Sequence, residues 1–583
     1  MRLPRSIATG GAIVLFIVLT VGMLYPLTFQ LATHVHDFGD PLLTAWIVTW
    51  VTRTIFTNPL NLYQGNIFYP FPYSLAFSET LAGSLPIVAP ILWLTGNPIL
   101  AQNGLLVASF FLSALGAFLL ARRLTGSAAA GVVAGVIFAF APFRFIHFSH
   151  MQLLSAHWMP FTLLFLHRGV ETRRWRDFLA FALFFTLQAL SSFYYALFMA
   201  VAVGLFAAYY GSLRWRALDW PVLLKFLVAC ALAGLVIIPF VVPYFQAQRI
   251  YGFTRTIEET KDLSASFQDY LVAPPSNRLY GALTAPLTSQ TTWPAEHMLF
   301  PGILPPLLAL IGLVGGGRAW WRGRRSPFSE VEVAKARPLD SRRSVLDQGY
   351  YAALGLVAFV LSFGPILQLG GRDTGLPLPY FLLYTFVPGF KGTRAPVRFD
   401  ILVMLACAIL AAYGMARILL WLSARWRAAW AVGVAAALVA GILLEYASFP
   451  IATAPIEVGD AIPPVYKWLA QQSPQTPVLE LPINTDDEYK YMYYSVYHWQ
   501  PIVNGHSGFI PDKYPEIAQN AAKIPRSAAV REVHDMGVKL IVVHLAAYQP
   551  AERASLEQKL ATSKDLTLVQ SFGDDRVYTV NPR

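Results

Sequence analysis

Charge is what this chain has least of. Asp, Glu, Lys and Arg make up 13% of its 583 residues, where a soluble globular protein carries roughly 25%. The length would allow three or four soluble domains, but the deficit excludes that reading for most of the chain. Cysteine is nearly absent: Cys230 and Cys407 both sit in apolar runs. Two such residues make neither a disulfide framework nor a thiolate metal site, and they read as small packing residues. The P-loop pattern G-x-x-x-x-G-K-[ST] is missing, so the chain has no such ATP site with which to drive transport. It also lacks internal repeats and low-complexity tracts. Disorder, a secreted disulfide scaffold and a nucleic-acid binder are all disfavoured.

What is abundant is apolar and aromatic. The AVILMFWYC set reaches 56%, with 15 Trp, 27 Tyr and 40 Phe, a load suited to anchoring at two membrane–water interfaces. The fold class expected is an α-helical polytopic membrane protein. Arg2 and Arg5 precede an apolar run over 12–31 that is too long for a signal peptide and lacks a small-residue cleavage site. A bilayer core of about 30 Å needs about 20 apolar residues. Further spans of that order are expected near 98–121, 127–143, 151–168, 177–192, 193–211, 221–243, 302–316, 349–368, 397–418 and 428–447, about eleven in all.

The net charge of +11 follows from topology. Alternating the sides places Arg122, Arg123, Arg168, Arg173, Arg174, Arg176, Arg214 and Arg216 in the cytoplasm. The basic segment 318–343 and Arg417, Arg425 and Arg427 fall there too, as the positive-inside rule requires. The expected location is a bacterial inner membrane, with the N-terminus cytoplasmic and the C-terminal part outside. Residues 1–447 then form the membrane domain, with a first outer loop over 32–97 and a second over 244–300. Within them 41–57 reads as an amphipathic helix in the outer interface. The short apolar stretches 82–94 and 376–387 carry prolines and read as interfacial or re-entrant.

Residues 448–583 read as a small soluble extracytoplasmic α/β domain. A helix is expected over 464–472, strands over 476–482 and 538–544, and a hairpin from 566–571 and 575–580.

The first outer loop opens with Thr33-His34-Val35-His36-Asp37-Phe38-Gly39-Asp40-Pro41. Two carboxylates and two imidazoles in seven positions are conspicuous where charge is scarce. Gly39 permits a tight turn between the acids, while Asp40 ahead of Pro41 also suits a helix N-cap. Glu79 precedes the interrupted segment as a third acid. His34 and His36 with the two Asp are candidate ligands for a divalent metal, Mg or Mn, which prefer oxygen donors. His147 and His150 mark another outer end, with His157 just beyond. Glu296-His297 heads a later span, placed either to face an acceptor or to cap the helix. Lys391, Arg394 and Arg398 precede a span on the outer face, against the positive-inside bias. They read either as headgroup contacts or as a phosphate clamp, for which the Arg fork is well shaped. The run Tyr489–Tyr497 with Trp499 suits packing or ring stacking on a sugar, and Glu445 reads as snorkelling.

One helix followed by a long outer loop that opens on an acidic motif resembles the GT-C superfamily of membrane glycosyltransferases. His36-Asp37-Phe38-Gly39-Asp40-Pro41, Asn66-Ile67-Phe68-Tyr69-Pro70, Arg394-Ala395-Pro396-Val397-Arg398-Phe399 and Val503-Asn504-Gly505 are similar, more closely, to a bacterial group of GT-C-like membrane proteins. The resemblance implies a lipid-phosphate-linked sugar donor and an essential Asp in the first outer loop. Set against the physics of such a reaction, Asp40, Asp37 and Glu79 are the catalytic candidates, and Arg394, Arg398 and Lys391 are the candidates for the donor phosphate. His147, His150, Glu296 and His297 would line the cavity for a glycan, lipid or protein acceptor. The adjacent Asp-Glu pair of the protein O-mannosyltransferases is absent, so substrate does not carry over. Two other readings stay open. A transporter or flippase would carry ionisable residues at mid-span, which the sequence lacks. An envelope assembly protein would leave the His34–Asp40 cluster unexplained.

Overall fold

The computed structural model describes residues 5–214, 219–288, 291–325, 339, 341–369, 372–426 and 428–581. Arg2, Arg216, Arg427 and positions 326–338 of the expected basic segment lie outside the described residues. The chain is a helical membrane protein with a small sheet near its C-terminus. Among the described residues seven helices are long and apolar enough to cross a membrane: Ser6–Met23, Pro98–Thr125, Ala128–Ile146, Phe193–Leu213, Trp220–Tyr251, Arg343–Ser362 and Pro396–Arg425. The remaining expected spans are also helices, at Trp158–Thr172, Trp175–Ser191, Leu304–Arg325 and Ala428–Glu445. Three of these are short, and the fourth ends in the basic run Arg322–Arg325.

Several boundaries moved for local reasons. The first helix stops at Met23, because Pro26 disfavours helical backbone at the residue before it. The expected pair around Ser191 is two helices, broken where Ser192 is extended. Trp220–Tyr251 runs 32 residues despite Pro239 and Pro243, eight beyond the expected end. The helix expected to lie in the outer interface forms as Asp40–Thr57, yet Pro41 to Val48 are all buried. Its apolar residues surround the axis, so it needs cover on more than one side. It lies against Pro98–Thr125 and against Thr485–His498 from the C-terminal part. Of the two proline-bearing stretches, one is the helix Leu85–Thr95. The other is divided between the hairpin of β2 (Ile366–Leu369) with β3 (Arg372–Pro377) and the helix Pro379–Phe386.

Close helix packing uses glycine. Cβ atoms added at Gly312 and Gly414 would overlap Leu410 O and Leu308 O of the facing helix, so Leu304–Arg325 and Asp400–Arg425 meet backbone to backbone.

The bundle has two chemically distinct ends. Helix Pro98–Thr125 spans 28 residues, about 42 Å at 1.5 Å per residue. At its start, Asn97 donates to Ala32 O (2.9 Å), and Asn103 donates to Leu31 O (2.8 Å) and His34 O (2.7 Å). The acidic loop is thereby tied to that end. At its finish Arg122 bonds Thr9, and Glu171 joins Arg123 and Arg343. Arg168–Asp177 (2.9 Å) and Arg173–Asp219 (2.8 Å) belong to the same basic end.

β1 (His34–Val35) of the first outer loop pairs antiparallel with β4 (Ala454–Pro455) at the start of the C-terminal part. β5 (Val478–Leu481), β6 (Leu540–His544), β7 (Leu566–Phe572) and β8 (Asp575–Val580) form one sheet in the order β5-β6-β8-β7. The first two are parallel and the others antiparallel. Leu479, Val530, Ile541 and Val543 give this part a core of its own, while Val465, Tyr491 and Met492 join the main cluster with Trp46 and Leu42.

Candidate active site

The acidic end carries a continuous line of polar side chains drawn from five stretches of sequence. Asp37 sits just ahead of helix Asp40–Thr57. Its Oδ1 accepts the Gly39 N–H (2.8 Å), and its Oδ2 accepts the Ser149 hydroxyl. Gly39 serves here by leaving room. A Cβ would lie 3.1 Å from Asp37 Oδ1, tighter than ordinary packing. Asp40 makes no cap bond, since the cap position is Gly39. Its Oδ1 instead accepts the Tyr489 hydroxyl (3.1 Å), and its Oδ2 faces His150 Nε2 at 3.7 Å.

From His150 the line continues inward. The His147 ring is 5.5 Å from that of His150, and its Nε2 lies 3.7 Å from Glu296 Oε2. Glu296 is gripped bidentately by Arg398, with Nε at 3.0 Å. Both partners are buried. Burial alone would raise the Glu296 carboxyl, but Arg398 and His147 outweigh it and hold it well below its ordinary range. Burial lowers the His147 imidazole to about 3, despite the pull of Glu296. Arg398 also lies over the Tyr194 ring at 5.0 Å.

Glu79 closes this side. Its carboxylate accepts the backbone N–H groups of Phe193 (2.9 and 3.0 Å) and Tyr194 (3.4 Å) at the start of helix Phe193–Arg214. Unpaired N–H groups and the helix dipole favour an anion there. Burial nevertheless pushes the carboxyl up to about 7, against these donors and Arg398. The Arg394 N–H in turn donates to the Tyr194 hydroxyl (2.8 Å), which links Glu79 to the cationic segment.

The cations divide. Arg398 is committed to Glu296, so the expected phosphate clamp at that residue is already occupied by a carboxylate. Arg394 is part-exposed, 3.8 Å from Glu259 and over the Trp293 ring at 5.2 Å. Arg255 shares Glu259 at 3.1 Å, donates to Gly508 O (2.7 Å) and lies 3.9 Å over the Phe509 ring. Two guanidinium groups thus share one carboxylate, with exposed Lys391 nearby: its carbonyl accepts the Arg255 N–H (3.4 Å). Sequence reasoning missed Arg255. It lies in the second outer loop with no motif around it, and only the fold brings it to Arg394.

Other expectations are corrected. His297 is buried and saturated, its Nδ1 2.8 Å from Asp269 and its Nε2 3.0 Å from the Asp262 carbonyl, so it faces no acceptor. Burial lowers its imidazole, but Asp269 reverses the sign and the value is raised. Glu445 does not snorkel: it is buried, accepting the N–H groups of Ile303 and Leu304 at 3.1 Å and the Tyr280 hydroxyl at 3.2 Å. For the metal, no group of three His, Cys, Asp or Glu side chains is arranged to hold an ion among the described residues. His36 Nδ1 instead donates to Ala452 O (2.8 Å), and His34 Nδ1 is 3.0 Å from the Thr33 hydroxyl. The bundle interior also holds more ionisable groups than expected. His167 and Asp347 (3.9 Å) lie towards the basic end, and Arg144 and Asp400 are fully buried.

No protein-family model matches the sequence, and no curated protein does. Three of the solved structures similar to the chain cover nearly all of it. ArnT from Cupriavidus metallidurans in the apo state aligns with TM-score 0.45 and 12% identity, over 99% of this chain and 100% of that one. The same protein bound to undecaprenyl phosphate gives 0.46 and 14%, over 98% and 99%. An Archaeoglobus fulgidus oligosaccharyltransferase in the apo form gives 0.47 and 14%, over 92% of this chain and 69% of that one.

Proposed function

We propose that the protein transfers a sugar from a polyprenyl-phosphate- or diphosphate-linked donor to an acceptor at the acidic end of the bundle, which the positive-inside rule makes the extracytoplasmic face. The observation that carries this reading is the line of side chains from Asp40 through His150, His147 and Glu296 to Arg398, which the Tyr194 ring joins to Arg394.

In the proposed reaction an acceptor hydroxyl oxygen attacks the anomeric carbon and its proton passes to Asp40, or to Asp37 beside it. The bond from that carbon to the phosphate oxygen breaks, and the electron pair leaves with the lipid phosphate. Arg394 and Arg255 face the developing charge, since together they exceed Glu259 by one positive charge. Lys391 adds an exposed cation beside them. Arg398 acts through Glu296 as a fixed strut, and Glu79 holds Tyr194 and thereby the Arg394 backbone. His150 borders Asp40 on the acceptor side. The Ser149 hydroxyl and Gly39 N–H on Asp37 suit a carboxylate that orients a sugar hydroxyl.

The test replaces Asp37 and Asp40 with Asn and Glu79 with Gln, one at a time. Sugar transfer is then followed in proteoliposomes from a panel of undecaprenyl-phosphate-linked hexoses to membrane extract. Loss of roughly 100-fold or more at Asp40 or Asp37 is expected. Full activity in all three variants refutes the proposal.

A further inference from the structure

The C-terminal part touches both poles of this site. Residues 66–69 of the first outer loop and 502–504 of the C-terminal part exchange backbone hydrogen bonds like paired strands. Tyr69 N donates to Ile502 O (2.9 Å), Ile502 N to Asn66 O (2.8 Å) and Phe68 N to Asn504 O (3.1 Å). The Asn66 side chain donates to Gln500 O (3.2 Å). Arg53 lies 4.1 Å over the Trp499 ring, and Lys490 5.0 Å over Phe38. These contacts lay helix Thr485–His498 along helix Asp40–Thr57 and bring Tyr489 to Asp40. On the cationic side Phe509 N donates to Phe77 O (3.0 Å), the Phe509 ring stacks on Phe253, and Gly508 O accepts from Arg255.

Tyr489 stands out within its helix. Tyr491 donates to Pro482 O, Tyr493 to Glu457 O and Tyr494 to Glu457 Oε2, all partners within the C-terminal part. Tyr489 instead donates across the boundary, to a carboxylate that already faces His150. Its ring is backed by His506 at 4.8 Å, and Gly39 leaves the space beside it. A phenol held on Oδ1 leaves Oδ2 on the His150 side.

We infer that Tyr489 is a positioning residue for Asp40, and that the C-terminal part is thereby a constituent of the active site rather than an appended module. This rests on the reading of Asp40 as the base. Tyr489 selects the Asp40 oxygen that meets the acceptor and fixes its direction, so its hydroxyl acts on the chemical step rather than on donor binding.

The test uses the full chain, purified and in proteoliposomes, with Tyr489→Phe, Asp40→Asn and the double variant. Transfer from the undecaprenyl-phosphate hexose panel gives kcat and KM, and binding of undecaprenyl phosphate and thermal stability are read alongside. Tyr489→Phe is expected to lower kcat about 10- to 100-fold, with donor KM, lipid affinity and melting temperature unchanged. It should add nothing in the Asp40→Asn background. Full kcat in Tyr489→Phe while Asp40→Asn is impaired overturns the inference and leaves the proposed function standing. An equal loss in both backgrounds also overturns it, since Tyr489 would then act independently of Asp40. Full activity in Asp40→Asn removes the assignment of the base, and this inference with it.

Discussion

Replacing Glu296 with Gln keeps the side chain's size and removes its charge, leaving the Arg398 guanidinium buried without its counter-ion. At 3.0 Å and an effective dielectric near 20, the lost attraction is about 5 kcal/mol. The Tyr194 ring and the Glu79 carboxylate still face Arg398 and recover part of that. A destabilisation of about 3 kcal/mol is therefore expected, within the range for breaking buried pairs. Arg398→Met removes the stranded charge, so the double variant is expected to regain most of the loss. The assay is denaturant unfolding of purified protein in mixed micelles, comparing both single variants with the double. A double variant as unstable as the sum of the singles would refute the reasoning, because a coupled buried pair cannot be additive.

Two further outcomes follow from packing and titration. Gly414→Val drives a side chain into the Leu308 backbone, whereas Gly234 has open space around it. The first is expected to abolish monodisperse protein on size exclusion, while Gly234→Ala elutes as the parent does. In the C-terminal sheet, His544 on β6 is held between Glu480 on β5 (3.0 Å) and Asp575 on β8 (2.9 Å). Burial lowers its imidazole, but the two carboxylates reverse this and raise it to about 9. A raised value stabilises fully below the unfolded value near 6.5 and is lost as pH rises through about 9, roughly 3 kcal/mol in all. Hydrogen exchange at β6, corrected for intrinsic rate, is expected to accelerate between pH 7 and 10. His544→Gln should flatten that dependence, and an unchanged slope would contradict the assignment.

Much of the architecture was legible because hydrophobic length and local period report secondary structure directly. The β5 and β6 strands and the β7–β8 hairpin formed close to where alternation and turn residues placed them. Helix Asp40–Thr57 was recognised as a helix, but its cover was not. Part of that cover comes from Thr485–His498, more than 400 residues away, and no local pattern encodes it. The candidate site was legible as charge scarcity. Asp37, Asp40, Glu79, Arg394 and Arg398 stood out as outer charges in an apolar chain, and the fold gathers them at one end. The partners that decide their roles were not legible. Glu296 occupies Arg398, Asp269 saturates His297, Arg255 joins Arg394, and Tyr489 reaches Asp40. Each is a long-range pairing between residues that look ordinary in their own segments.

The most direct measurement is a structure of the purified protein in nanodiscs with undecaprenyl phosphate. The account predicts the phosphate at the acidic end, within hydrogen-bonding distance of Arg394 or Arg255, on the side facing Asp37 and Asp40. A phosphate bound at the opposite end, beside Arg123 and Arg343, would contradict it.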